Sequence, residues 1–146
     1  MTHYWIGIAS KKHVQLGVKG GFCQLNHGKK APLQRMKSGD WLIYYSPKLS
    51  LEGSEPYQHF TAIGQIQSEE AYQVEMSPGF MPFRKDVNYY QIEQDLPLKA
   101  LAGHPEWQAK RSQLRFGHFA ISEELFDMLV LSMGRKEGLV EDNAGV

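Results

Sequence analysis

The chain has 146 residues, the size of one domain, and its 42% hydrophobic and 12% aromatic content is enough to fill one core, which excludes wholesale disorder. Sixteen basic residues balance sixteen acidic ones, a sum that by itself argues against a strongly basic nucleic-acid binder. The balance is not uniform: residues 1–39 carry seven Lys or Arg and no acid, a charge of +7, and the remainder carries −7, so the first quarter of the chain favours an anionic partner.

In chain order, Tyr4 to Ala9 is aromatic and β-branched and reads as an opening strand. Ser10 is placed to cap a short helix through about Gly17, with Val14, Gly17 and Val18 inward, and Gly20-Gly21 ends it. A polar loop, Phe22 to Lys30, follows. Pro32 suits the first turn of a brief helix holding Leu33 and Met36. After the turn Lys37–Asp40, Trp41 to Tyr45 is the clearest strand, in which Trp41 and Ile43 share one face and Leu42 and Tyr44 the other. Residues 48–58 read as a surface loop, Phe60 to Ile66 as a strand, and Ala71 to Met76 as its hairpin partner. Pro78 to Phe83 is an aromatic loop, because Pro lacks the ladder donor.

Arg84 to Tyr90 returns to β structure, residues 97–110 form one or two short helices, and Leu114 to Ile121 is the last strand. Ser122 caps a closing helix with Glu123 and Glu124 at its positive end; Leu125, Phe126, Leu129, Val130 and Met133 share a face, and Gly134 stops it. The expected class is α+β: a small, mostly antiparallel β-barrel of five to six strands with peripheral helices. A single domain spans 1–134, and residues 135–146 form a flexible tail.

Cys23 is the only cysteine, which excludes an internal disulfide and any multi-cysteine zinc site. No stretch approaches the roughly 18–20 apolar residues of a membrane span. The N-terminus enters a strand pattern directly, without a signal-peptide layout, so a soluble cytoplasmic protein with no membrane partner is expected.

Cys23 and His27 invite a thiol–imidazole reading, but a four-residue spacing serves that pair only on a helix, and a lone Cys beside Phe and Leu is more often a small buried hydrophobe. The six His residues have no HxH or HExxH spacing, and no phosphate loop or nucleophile elbow occurs. No catalytic residue, cofactor or metal is expected. A binding surface is better supplied. Phe22, Phe80 and Phe83 in loops, with Trp41, Tyr44 and Tyr45 in the strand, offer flat faces on which a nucleobase gains about 1–3 kcal/mol by stacking. Gln24 and Ser46 are suited to a base edge, Arg84 and Arg115 to phosphate or a base carbonyl, and Lys11, Lys12, Lys29 and Lys30 to backbone phosphate.

Six ordered blocks, from Tyr4-Trp5-Ile6-Gly7 through Gly20–Leu25, Gly39–Pro47, Phe60–Gly64 and Pro78–Val87 to Gln113–Gly117, resemble the EVE domain family over residues 4 to about 131. The resemblance is nearest to short bacterial members that consist of this domain alone. It implies a PUA-like fold and kinship with readers of modified bases. Among these is the YTH domain, whose loop Trp-Cys-Ser-Thr-x-His-Gly is similar to Phe22–Gly28 and would place Phe22, with Cys23 beside it, at a cage position. Phe is the smaller platform, and Gln24 stands where that loop has a hydroxyl residue.

The expected function is therefore non-catalytic recognition of a modified nucleobase, of modified cytosine or adenine type, in DNA or RNA. Some PUA-like relatives are instead amidohydrolases on acylated cytidine, using a Lys, Thr and Glu set. No spacing in this chain matches that set.

Overall fold

The computed structural model of the protein describes residues 1–140. β1 (Tyr4–Ile8) runs parallel to β3 (Trp41–Lys48), and the crossover between them carries α1 (Lys11–Gly20), the short β2 (Phe22–Cys23) and α2 (Lys30–Gln34). Every other pairing is antiparallel: β3 with β4 (Pro56–Ile66), β4 with β6 (Phe83–Tyr90), and β1 with β8 (His118–Ile121). The strand path is β2-β6-β4-β3-β1-β8, curled into an open half-barrel. Two further two-residue strands, β5 (Tyr72–Gln73) and β7 (Leu96–Pro97), pair with β6 and β4. α3 (Pro105–Lys110) and α4 (Glu123–Met133) complete an α+β architecture.

The alternation of β3 sorts the core. Ile43 and Tyr45 pack with Ile6, Phe60 and Ile63 beneath Trp107 of α3 and the apolar stripe of α4, with Trp41 half-buried at the margin. Leu42 and Tyr44 face the other way, against Val14 of α1, Leu25, and Leu33 and Met36 around α2. The sheet is thus covered by helices on both faces. α4 is capped as its sequence implies: Leu125 N–H donates to Ser122 Oγ at 3.0 Å, and Gly134 closes the helix at φ 70°.

Four expectations change. α1 continues to Gly20, and Gly17 is a packing glycine inside it, because a Cβ there would lie 2.7 Å from the Phe22 carbonyl. Tyr72–Gln73 pairs with β6 rather than β4, since β3 and β6 already occupy both edges of β4 there. Leu114 to Phe116 is not strand: Arg111–Phe116 winds as a 3-10 turn ended by Gly117 at φ 78°, and only His118–Ile121 extends. Lys136 to Val140 does not fray from the body. Lys136 N–H donates to the Gln91 carbonyl and Val140 N–H to the Tyr89 carbonyl, each at 2.8 Å, so this segment lies along the end of β6. The rest of the expected tail, 141–146, lies outside the described residues.

Two buried polar groups were not legible beforehand. Asp40 accepts from His3 N–H, Trp5 Nε1–H and Lys37 N–H, all at 3.0 Å, tying the start of β1 to the turn before β3. His118 lies flat on Trp5, ring centroids 4.6 Å apart, with no hydrogen-bond partner on either ring nitrogen among the described residues. Burial, assisted by the Arg35 charge, pushes its pKa from 6.5 down to about 3. The folded protein therefore keeps this ring neutral in a range where the unfolded chain takes up a proton. Its stability is complete above about pH 6.5 and is lost as pH falls toward about 3. Urea denaturation at about pH 7 and about pH 4.5 should differ by on the order of 2 kcal/mol from this residue. His118→Phe should remove that part of the difference; an unchanged pH slope in the variant would contradict the assignment.

Candidate functional site

A cleft of about 730 Å³ opens where β1 ends, between α1, the turn after β2, the end of β3 and the 3-10 turn before β8. One wall starts at Ser10, whose Oγ caps α1 by accepting from His13 N–H at 3.3 Å and so presents Lys12, His13 and Leu16 to the opening. The next wall is an unusual turn. Asn26, His27 and Gly28 are consecutively left-handed, at φ 49°, 62° and 83°. Asn tolerates this conformation, a His does so less readily, and three in a row need outside support. It comes from three sides: Gly28 and Lys29 N–H groups donate to the Leu25 carbonyl, Phe83 N–H donates to the Gly28 carbonyl at 2.8 Å, and Asn26 Nδ2 donates to the Phe116 carbonyl at 3.2 Å. The turn thereby joins β6 and the 3-10 turn into one frame around the cleft.

The charged lining is one-sided. Lys12, Lys29, Lys48 and Arg115 face the cleft and Glu52 is its only acid among the described residues. His13 also lines it, with its pKa lowered mainly by burial, so its ring is neutral at neutral pH. The rim is apolar: Leu16, Leu51, Met76, Phe80 and Phe116 are all exposed large hydrophobics. Phe116 at 57% and Phe80 at 39% are the aromatic members of this rim, and each keeps open ring surface there. The Arg115 guanidinium lies 4.9 Å from the Phe116 ring centre.

Gln24, only 4% exposed, is the buried polar side chain of the lining. Arg84 Nε–H donates to its Oε1 at 2.5 Å, and the Arg84 guanidinium is stacked on Phe22 at 3.7 Å. Tyr44 OH donates to the Gln24 carbonyl at 3.0 Å. Four of the ten residues expected to form a base pocket, Phe22, Gln24, Tyr44 and Arg84, converge, but as a packed stack in which only Gln24 reaches the cleft.

Of the other candidates, Phe80, Arg115, Lys12 and Lys29 line the cleft with Gln24. The structure does not bring the rest to it. Phe22 is buried and its face is taken by Arg84. Cys23 is fully buried, its thiol pushed up to about 12 by burial, which leaves it neither exposed to His27 nor ionised for attack. Ser46 is buried against Thr61, with hydroxyls 2.8 Å apart. Trp41 sits on the opposite side of the sheet, packed on Phe126 and Tyr90 with Arg135 over its ring. Phe83 is half-buried beneath Lys30, 5.6 Å from its ring centre. Lys11 turns away into an ion pair with Asp95. Residues the sequence reading missed are His13, Lys48, Met76 and Phe116. Reading Leu114–Ile121 as one strand hid Phe116, although Gly117 beside it marked a chain reversal.

A second cavity of about 430 Å³ lies behind α1 and brings Lys11, Thr61 and Asp95 to one lining. Tyr57 OH donates to Asp95 Oδ2 at 2.5 Å and accepts from Lys11 Nζ at 3.3 Å. Burial opposes charge on Lys11, but the hydrogen bonds to Asp95 and Tyr57 outweigh it and its pKa is raised. Among the described residues no three His, Cys, Asp or Glu side chains come together as a metal site, and no helix is long and apolar enough to cross a membrane.

The EVE domain pattern matches residues 3–132. A UPF0310 protein from Helicobacter hepaticus is 59% identical over 126 residues, covering 86% of this chain and 93% of that one. One from Streptococcus sanguinis is 57% identical, covering 86% and 89%, and one from Bacillus subtilis is 42% identical over 137 residues, covering 91% and 93%. Among solved structures, a hypothetical protein from Leishmania major shares the fold with a TM-score of 0.61 at 17% identity, covering 90% and 94%. An NMR structure of a protein from Rhodopseudomonas palustris does so with a TM-score of 0.59 at 20% identity, covering 90% and 92%.

Proposed function

The chain belongs to the EVE domain family, and from that membership and the cleft we propose a non-catalytic module that binds a modified nucleobase, of modified cytosine or adenine type, presented in DNA or RNA. The observation that carries the reading is the pairing of two exposed rings, Phe80 and Phe116, with a lining of four cations to one acid. Exposed aromatic surface suits a base removed from its stack, and the cations suit the phosphates on either side of it. A cleft of about 730 Å³ is within the range that holds one nucleotide-sized ligand. An extruded base costs little when it is unpaired and a few kcal/mol when it leaves a duplex. A methyl or hydroxymethyl addition would be read by apolar contact with the rim, worth about 1–3 kcal/mol per group.

The test is fluorescence anisotropy with short single-stranded oligonucleotides carrying one modified base. Phe80→Ala and Phe116→Ala should each weaken binding about tenfold, the order expected for losing one stacking face. Affinity unmoved by both changes would reject the reading. One observation favours the hydrolase alternative: Lys11, Thr61 and Asp95 share the second cavity. There Lys11 is held charged and Thr61 is bonded to Ser46, so neither is poised as base or nucleophile. Product release from acylated nucleosides, abolished by Lys11→Ala, would transfer the function to that cavity.

A further inference from the structure

We infer that Gln24, in the lining of the cleft, reads the base through its amide donor, so that the base it accepts turns a hydrogen-bond acceptor, a ring nitrogen or carbonyl oxygen, toward that nitrogen. This rests on the reading that the cleft holds a base, and it adds which edge of that base is read. A glutamine amide is ordinarily ambiguous, since its oxygen accepts and its nitrogen donates, and a half-turn about the last bond exchanges them. Here the ambiguity is removed by Arg84. A guanidinium has donors and no acceptor, so the amide atom 2.5 Å from Arg84 Nε is the oxygen. Arg84 is itself fixed by its stack on Phe22, and the Gln24 backbone is fixed by Tyr44 OH on its carbonyl.

The amide nitrogen is left facing the thioether of Met76, 3.9 Å away. Met76 lines the cleft and is 40% exposed, on the loop that also carries Phe80. A thioether is a weak acceptor, so in the free protein a poor partner stands where a good one belongs. The sulfur marks the place of the ligand's acceptor. Because Gln24 is almost fully buried, a base with no acceptor at that edge leaves the N–H groups without a strong partner, and that loss is felt more than the gain from an ordinary surface hydrogen bond. Arg84 acts as the positioning residue.

The experiment compares three otherwise identical single-stranded oligonucleotides. Their central position is thymine, the thymine-shaped difluorotoluene without strong acceptors, or an abasic sugar. The wild-type protein should bind thymine over difluorotoluene by about tenfold, and both over the abasic strand. Gln24→Glu keeps the shape and the Arg84 contact but has no donor, and it should reduce the thymine preference to near unity. Arg84→Met keeps the packing on Phe22 but frees the amide to turn; it should also reduce the preference, and this variant decides the matter if the Glu variant does not fold. A wild-type protein that binds thymine and difluorotoluene equally, yet both better than the abasic strand, overturns the inference and leaves the base-binding reading standing. Binding no better to either base than to the abasic strand overturns the inference, and it overturns the base-binding reading as well when strands carrying a methylated cytosine or a methylated adenine at that position are bound no better. A thymine preference that survives in both variants overturns the role of Gln24.

Discussion

Replacing Lys12, Lys29 and Arg115 together by alanine will flatten the salt dependence of nucleic-acid binding and weaken that binding at low salt by about three orders of magnitude. The expectation follows from counterion release. On a single strand each phosphate neutralised by a protein cation contributes about 0.7 to the slope of log affinity against log salt, so three lost contacts reduce the slope by about 2.1. At about 50 mM salt that slope corresponds to roughly a thousandfold in affinity, and near 1 M salt the variant and the parent should converge. All three side chains are exposed, and none is in an ion pair among the described residues, so thermal stability should hardly move. Titrations at several salt concentrations check both points. A parallel shift of the whole line, without a change in slope, would show that these residues position the protein without touching phosphate.

Gly28→Ala should cost about 3 kcal/mol of stability, a large share of what a domain of this size has. Two effects add. The residue sits at φ 83°, where a side chain costs about 1–2 kcal/mol. A Cβ there would also lie 2.3 Å from Pro82 Cβ and 2.8 Å from Pro82 Cα, a clash with a rigid ring and its backbone that costs roughly 1–3 kcal/mol more. Gly39→Ala separates the two. It has a comparable φ of 93° with nothing within 4 Å of the added atom, so it should show the conformational cost alone, about 1 kcal/mol. Urea denaturation of both variants gives the comparison, and equal losses would mean that Pro82 yields at no cost. The Gly28 variant should also lose ligand affinity, because its carbonyl holds Phe83 beside Arg84 and its turn holds the Phe116 wall.

Elements whose signal is local were readable from the chain. The α4 stripe, its Ser122 cap and the alternation of β3 each depend on residues a few positions apart, and each is found as expected. What failed depends on partners far away. Leu114-Arg115-Phe116 has the composition of a strand, yet it curls because Gly117 is left-handed and Asn26, 90 residues earlier, fastens the Phe116 carbonyl. The same limit applies to the site. The acid-free first quarter contains Lys12 and Lys29, which line the cleft, but charge segregation does not say which lysines turn inward, and Lys11 is spent on Asp95. Aromatic content did not separate Phe80, which is open, from Phe22, which is roofed by Arg84, because exposure is decided by tertiary packing.

The position of β1 bears on how the protein is made. β1 lies between β3 and β8, and Gly7 meets His118 in register. During synthesis the first strand therefore waits for its second neighbour until some 110 more residues have left the ribosome, roughly 5–20 s at ordinary elongation rates. The cleft waits with it, because Ile8 N–H closes on the Gly117 carbonyl and the Phe116 wall arrives only then. A nascent chain carries its basic segment from the start but completes the cleft only near the end. On the proposed reading, attraction to polyanions would precede the pocket during synthesis, and selectivity would be acquired late in assembly.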